Sequence, residues 1–138
     1  MNKTMTMLVE SEIEWASLDL FGHVNNVAFF FFVQKARLRF CEQIGLSSLN
    51  ESGKLGFIVA SSHCDYIKPL FYPGRVQIKV EVSAINNSSF ALAYQIMNQA
   101  NVLSASAKDV LVLFDYQKRQ KVYIDEMLRE QLTFYKIT

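Results

Sequence analysis

From Met5 to Trp15 the apolar residues Met5, Met7, Val9, Ile13 and Trp15 fall on odd positions, and Glu10, Glu12 and Glu14 fall on even ones. A period of two puts successive side chains on opposite faces of an extended chain, so this segment predicts a half-buried strand. The alternation breaks over Ala16 to Gly22, after which Asn25 or Asn26 precedes a long stretch ending at Ile44-Gly45. Asparagine at the start and glycine at the end predict a capped helix. Its first half, Val27 through Val33, is apolar on every side and holds Phe29 to Phe32, whereas Lys35, Arg37, Arg39, Glu42 and Gln43 come later. Phenylalanine runs also suit strands, but the caps and the length favour a helix. A helix apolar all round is expected to be enclosed.

After a loop over Leu46 to Leu55, Phe57 to Ile67 reads as a strand, and Pro69 with Tyr72-Pro73-Gly74 forces a turn. Val76, Ile78, Val80, Val82 and Ala84 then alternate with Arg75, Gln77, Lys79, Glu81 and Ser83, a strand with one wet face. The turn at Asn86-Asn87-Ser88 leads to Phe90, Leu92, Tyr94 and Ile96, and the turn from Asn98 to Asn101 leads to Val102 through Asp115. A short strand near Val122 and a helix from about Asp125 to Tyr135, with Asp125 as N-cap, complete the order. Connections this short cannot make parallel crossovers, so the sheet is predicted to be antiparallel. One sheet and one apolar helix are both satisfied if the sheet curls around the helix, an α+β arrangement.

The 138 residues suit one domain spanning 1–138, and the sequence holds no internal repeat or low-complexity segment. Hydrophobic residues at 51% supply a core, and a net charge of +1 leaves no field to hold a polyanion, which argues against nucleic acid as a partner. The longest apolar run, Val27 to Val33, is far below the roughly 20 residues of a membrane helix. The start, Met1-Asn2-Lys3-Thr4, lacks the apolar core of a secretory signal, so no membrane insertion and a cytoplasmic location are expected. Cys41 and Cys64 with His23 and His63 lack zinc-site spacing, and both cysteines are expected to be buried, inert thiols. His63, on an alternating strand, reads as a core or interface residue.

The segment Asp19-Leu20-Phe21-Gly22-His23-Val24-Asn25-Asn26 lies between the first strand and the apolar helix. A loop carboxylate facing a helix start pairs a nucleophile or base with unpaired N–H groups that can polarise an acyl oxygen. The segment resembles the D-x-x-G-H-V-N-N signature of hotdog-fold acyl-CoA thioesterases of the 4-hydroxybenzoyl-CoA thioesterase group. The likeness continues through Ala36-Arg37, Asp65-Tyr66-Ile67-Lys68-Pro69-Leu70 and Ser88-Ser89-Phe90. The resemblance implies a hotdog fold, in which five or six antiparallel strands wrap one long buried helix. It also implies pairing into a homodimer or a dimer of dimers, with active sites at the dimer interface. The implied activity is hydrolysis of an acyl-CoA or acyl-carrier-protein thioester without metal or bound cofactor, coenzyme A entering only as part of the substrate. The family's catalytic carboxylate falls on Asp19 and its backbone oxyanion donor near Asn26.

Each residue of the segment also has a plainer reading. Asp19 suits an Asx-turn that bonds its own loop. His23 either orients substrate, water or Asp19, or braces the loop by bonding a carbonyl. Asn25 and Asn26 suit a helix cap, with an amide near the thioester as the bolder reading. Gly22 supplies either a positive φ or a close approach to ligand. Lys68, Arg75, Ser88 and Ser89 are candidates to contact the nucleotide or pantetheine of coenzyme A, although exposed Lys and Arg are commonly only solvated charges. The helix phenylalanines divide between core and a wall for the acyl group.

Two positions depart from related patterns. Plant-type acyl-carrier-protein thioesterases share a D-x-N-x-H-V-N-N run with catalytic Asp, Asn and His, and Phe21 stands at that Asn; Gln34 stands where many relatives carry Glu. These departures leave room for a non-catalytic acyl-CoA-binding or regulatory module on the same fold. A thioesterase dedicated to releasing a chain from a carrier protein is a third reading.

Overall fold

A computed structural model describes residues 5–46 and 55–137. Most of the loop expected over Leu46 to Leu55 therefore lies outside the described residues. Strand β1 (Met7–Glu12) is followed by a short 3-10 turn (Trp15–Ser17), helix α1 (Asn26–Gln43), β2 (Leu55–Tyr66), β3 (Arg75–Ile85), β4 (Ser89–Met97), β5 (Leu103–Asp115), β6 (Gln120–Lys121) and helix α2 (Glu126–Thr133). The strands form one antiparallel sheet in the order β1-β3-β4-β5-β2, with β6 beside β5.

The period-two pattern sets which face of this sheet is dry. Val80 pairs with Tyr94 and Tyr94 with Ala107, so the inward phases of β3, β4 and β5 align across the sheet. Val76, Ile78, Val80, Val82, Phe90, Leu92, Tyr94, Ile96, Leu111 and Leu113 are buried there. Against them α1 lays Ala28, Phe29, Phe32, Val33, Ala36, Phe40 and Cys41, spaced three and four apart on one stripe. The resulting shape, a long helix held in the curl of an antiparallel sheet, is the hotdog fold that the sequence resemblance implied.

Local chemistry bounds the helices as expected. Asn25 Oδ1 accepts from Ala28 N at 2.8 Å, and Gly45 at φ +80° lets Leu46 N return to Cys41 O. Asp125 Oδ1 caps α2 by accepting from Leu128 N at 2.8 Å. No helix among the described residues is long and apolar enough to cross a membrane.

Several expectations are corrected. The first strand pairs only over Met7–Glu12, because Ile13 N turns to Gly74 O and the chain leaves the ladder; Trp15 is 72% exposed. Helix α1 is not enclosed by its own chain. One sheet covers one stripe of a helix, and Val27 and Phe31 on the other side are 57% and 63% exposed. His63 is no core residue: it stands exposed on β2 with Nε2 3.0 Å from Asp65 Oδ1. Cys41 is buried, and burial pushes its thiol up to about 12, but Cys64 is only half-buried.

The core also contains a charge. Asp109 on β5 has no solvent exposure and accepts from Arg37 Nη1 on α1 at 2.8 Å, from Tyr94 Oη on β4 at 2.8 Å and from Ser62 Oγ on β2 at 2.6 Å. Burial first, and the Asp109 charge second, hold the Tyr94 phenol far above its usual range, so it remains a donor. Removing one partner of a buried pair strands the other, at a cost of about 3–5 kcal/mol. Asp109→Ala is expected to lower stability by about that amount, read as a fall in the urea midpoint at unchanged slope; a midpoint equal to wild type would show that the network contributes nothing net.

Candidate active site

The loop between β1 and α1 is built around Asp19. Asp19 Oδ1 accepts from Phe21 N at 2.8 Å and His23 N at 3.0 Å, Asp19 N donates to His23 O at 2.7 Å, and Gly22 N donates to Asp19 O at 3.2 Å. Gly22 at φ +80° closes the turn, and a Cβ there would meet nothing within 4 Å, so the glycine serves conformation and not close approach to protein atoms. The Asx-turn reading of Asp19 thus describes Oδ1. Oδ2 has no partner among the described residues and is free for other work. The His23 backbone bond, ahead of that from Phe21, holds the Asp19 carboxyl below the usual carboxylate range.

Anchors on both sides hold this loop over the start of α1. Asn25 N donates to Ser17 O at 2.8 Å, and Val24 N donates to Leu70 O at 2.9 Å. Asn25 caps the helix, as the plainer reading expected, while the Asn26 and Val27 N–H groups have no partner among the described residues. Asn26, Asp19 and His23 line one open cavity of about 300 Å³, together with Val24, Phe29, Tyr66, Ile67, Lys68 and Pro69. The Asp19 side of the loop and the positive end of an 18-residue helix therefore border the same space. No group of three or more His, Cys, Asp or Glu that could hold a metal ion occurs among the described residues.

The remaining candidates divide. The His23 ring meets Phe71 edge to face at 5.1 Å and makes no hydrogen bond among the described residues, so the loop is braced by the His23 backbone. Lys68 reaches the cavity. Arg75 is instead held at the surface by Glu10 at 3.3 Å and Glu12 at 3.5 Å. Ser88 and Ser89 lie at the opposite end of the sheet, where Ser89 pairs with Val112, whereas the cavity adjoins the end at which Tyr66 pairs with Ala105. The seven residue steps along β4 from Ser89 to Ile96 put roughly 20 Å between them. Among the helix aromatics, Phe29 lines the cavity although it is also core.

Sequence reasoning passed over Tyr66 as a site residue. Its hydroxyl donates to Asn26 O at 3.1 Å and its ring meets Phe29 edge to face at 5.1 Å. Within the segment Asp65 to Leu70 the sequence singles out Lys68, and nothing local to Tyr66 points at a helix start 40 positions away.

A curled antiparallel sheet around one helix, with a carboxylate loop at the helix start, defines a hotdog-fold protein of the thioesterase kind. Residues 13–132 match the model of the thioesterase-like superfamily, and the chain belongs to that family. A Bacillus subtilis (strain 168) protein, the uncharacterized protein YsmA, is 30% identical over 82 residues, which are 59% of this chain and 54% of that protein; this chain therefore spans about half the length of that curated relative. Among solved structures, the PA5185 protein of Pseudomonas aeruginosa PAO1 superposes with a TM-score of 0.83 at 26% identity, covering 94% of this chain and 91% of that one. A DHNA-CoA thioesterase from Staphylococcus aureus superposes at 0.81 with 21% identity, covering 94% and 88%.

The depressed Asp19 pKa has a direct readout. A carboxyl whose folded pKa lies below its unfolded value stabilises the fold above the unfolded value and loses that contribution as pH falls through the folded one. In a carboxyl-carbon NMR titration Asp19 is expected to show a midpoint below the ~3.9 of a free aspartate, and a midpoint at or above it would mean that the two loop N–H bonds do not persist in solution.

Proposed function

We propose that this protein hydrolyses an acyl-CoA, or an acyl-carrier-protein thioester, to free carboxylate and thiol, with Asp19 as nucleophile or general base. The observation that carries the reading is the pairing of an unpartnered Asp19 Oδ2 with the unpartnered N–H groups at the start of α1 around one cavity. In the nucleophilic route a carboxylate oxygen of Asp19 bonds to the thioester carbon and the C–S bond breaks. The thiolate leaves and is protonated by water, and a water molecule then cleaves the mixed anhydride to restore Asp19. In the base route Asp19 takes a proton from the water that attacks the same carbon, and that proton passes to the departing thiolate. In both, the carbonyl oxygen gains charge, and the Asn26 N–H is the donor we assign to it.

The lowered pKa keeps the Asp19 carboxyl ionised, which the nucleophilic and the base route both require. His23, Gly22 and Asn25 hold the loop and the helix cap around these groups, and Lys68 at the cavity is suited to a phosphate or pantetheine oxygen of the substrate. No cofactor enters either route. The DHNA-CoA thioesterase among the structural relatives is consistent with a CoA thioester, and the acyl group is the point on which such relatives differ.

A homodimer or dimer of dimers is part of this proposal. Along β2, residues 58–63 are exposed and their outer edge has no strand partner among the described residues, and α1 exposes Val27, Phe30 and Phe31. An unprotected edge next to an apolar surface invites a second copy. Ser88 and Ser89 would reach a cavity only from such a copy. Light scattering is expected to give at least twice the monomer mass; monomer alone would remove the shared-site arrangement.

Thiol release from short-chain, long-chain and aromatic acyl-CoAs is the central test. Wild type is expected to release thiol, and Asp19→Ala to lose roughly 10³-fold or more in turnover while remaining folded. Near-normal turnover in the folded variant would remove Asp19 from the chemistry. Tight acyl-CoA binding with no turnover by either protein would favour the non-catalytic binding module, for which Phe21 and Gln34 leave room.

A further inference from the structure

We infer that Tyr66 is a positioning residue of this site, holding the start of α1 where its N–H groups meet the acyl oxygen. The inference rests on the reading of the site as a thioester hydrolase and names a residue that the reading does not use.

The first turn of α1 needs such a support. Asn26 is exposed and Val27 is 57% exposed, so core packing does not fix them. The Asn25 cap bonds forward into the helix and its N–H reaches back to Ser17 O, which leaves the cavity side of the turn without a tether from either bond. Tyr66 supplies one from across the cavity. Its hydroxyl donates to Asn26 O at 3.1 Å, and its ring meets Phe29, one turn further along and 3% exposed, edge to face at 5.1 Å. One side chain thus grips the helix at two successive points.

Tyr66 is itself firmly based. It is the last residue of β2, paired with Ala105, and the next two N–H groups, of Ile67 and Lys68, both donate to Ser104 O at 2.9 and 3.0 Å. The strand end is therefore pinned to β5, and β5 carries Asp109, which holds α1 from below through Arg37. Burial first, and the neighbouring Cys64 second, raise the Tyr66 pKa, so the phenol keeps its proton and remains a donor at neutral pH.

The bond to Asn26 O has an electronic consequence as well. The Asn26 carbonyl and the Val27 N–H belong to one planar peptide group. A donor on the carbonyl polarises that group and makes its N–H a stronger donor in turn. Tyr66 therefore locates the helix start, with its Asn26 N–H, and strengthens the Val27 N–H beside it. Since the acyl oxygen carries most charge in the transition state, loss of the hydroxyl is felt in turnover more than in substrate binding.

Tyr66→Phe isolates the hydroxyl, because the ring against Phe29 is retained. With the best acyl-CoA from the panel, kcat is expected to fall about tenfold with KM within about twofold, a smaller loss than the roughly 10²–10³-fold of deleting an oxyanion donor outright. A role confined to stability would lower Tm and leave kcat per folded molecule unchanged, so Tm and kcat are measured on the same preparation. Wild-type kcat in Tyr66→Phe, or a change in KM alone, would overturn the inference while leaving the thioesterase reading in place. Absence of turnover in wild type across the panel would remove that reading, and this inference with it.

Discussion

A carboxylate without access to water is tolerable only where donors surround it, and Asp109 meets that condition by drawing on three other elements at once. Arg37 comes from α1, Tyr94 from β4 and Ser62 from β2. Apolar contacts alone would allow α1 to slide or rotate over a sheet lined by Val, Leu, Ile and Ala, since many offsets bury similar area. A bond from Arg37 to a fixed carboxylate prefers one offset. The helix start is therefore delivered to a particular place, beside the end of β2 and under the Asp19 loop. The geometry of the candidate site is set some distance from it, by a group that never meets substrate.

In the proposed reading of the site, structural and chemical roles share one side chain, Asp19. Oδ1 of Asp19 organises its own loop, as loop aspartates commonly do, and that bonding aims Oδ2 and lowers the pKa. The two readings of Asp19 weighed from the sequence are thus compatible: a carboxylate used as a turn element is held still by the same bonds that keep it ionised. Gly22 contributes the backbone angle, His23 contributes N–H and carbonyl, and Asn25 closes the helix end. The loop presents Leu20 and Phe21 outward, 99% and 82% exposed, directly beside the carboxylate, an apolar rim for whatever approaches.

One flank of the molecule is unfinished. Residues 58–63 of β2 and Val27 and Phe31 of α1 face solvent, while at the other side of the sheet the Ile137 N–H donates to Val82 O of β3, beyond the end of β1. The contrast explains why the all-apolar half of α1 makes sense only in part within a single chain. Its buried stripe satisfies the sheet, and Val27, Phe30 and Phe31 on its other side remain exposed. The curled sheet thus covers the helix from one direction only.

The sequence by itself determined what depends on neighbours a few positions apart. The inward phases of β3 and β4 followed from period-two alternation, both helix N-caps from an Asn or Asp three residues ahead of the N–H it bonds, and the Asp19 turn from an Asp-x-x-Gly-His run whose bonds span two to four residues. One clue went unread: Asp109 sits in the same phase as Ala105, Ala107, Leu111 and Leu113, a charge on a core-facing row. Only the tertiary structure decided its partners, since Arg37 lies 72 residues away and Ser62 47, and only it brought Tyr66 to Asn26 across 40. It alone also separated Lys68, at the cavity, from Ser88 and Ser89, at the far end of the sheet. Local periodicity states which way a side chain faces, whereas strand order and helix offset, set by packing of the whole chain, decide what it meets there.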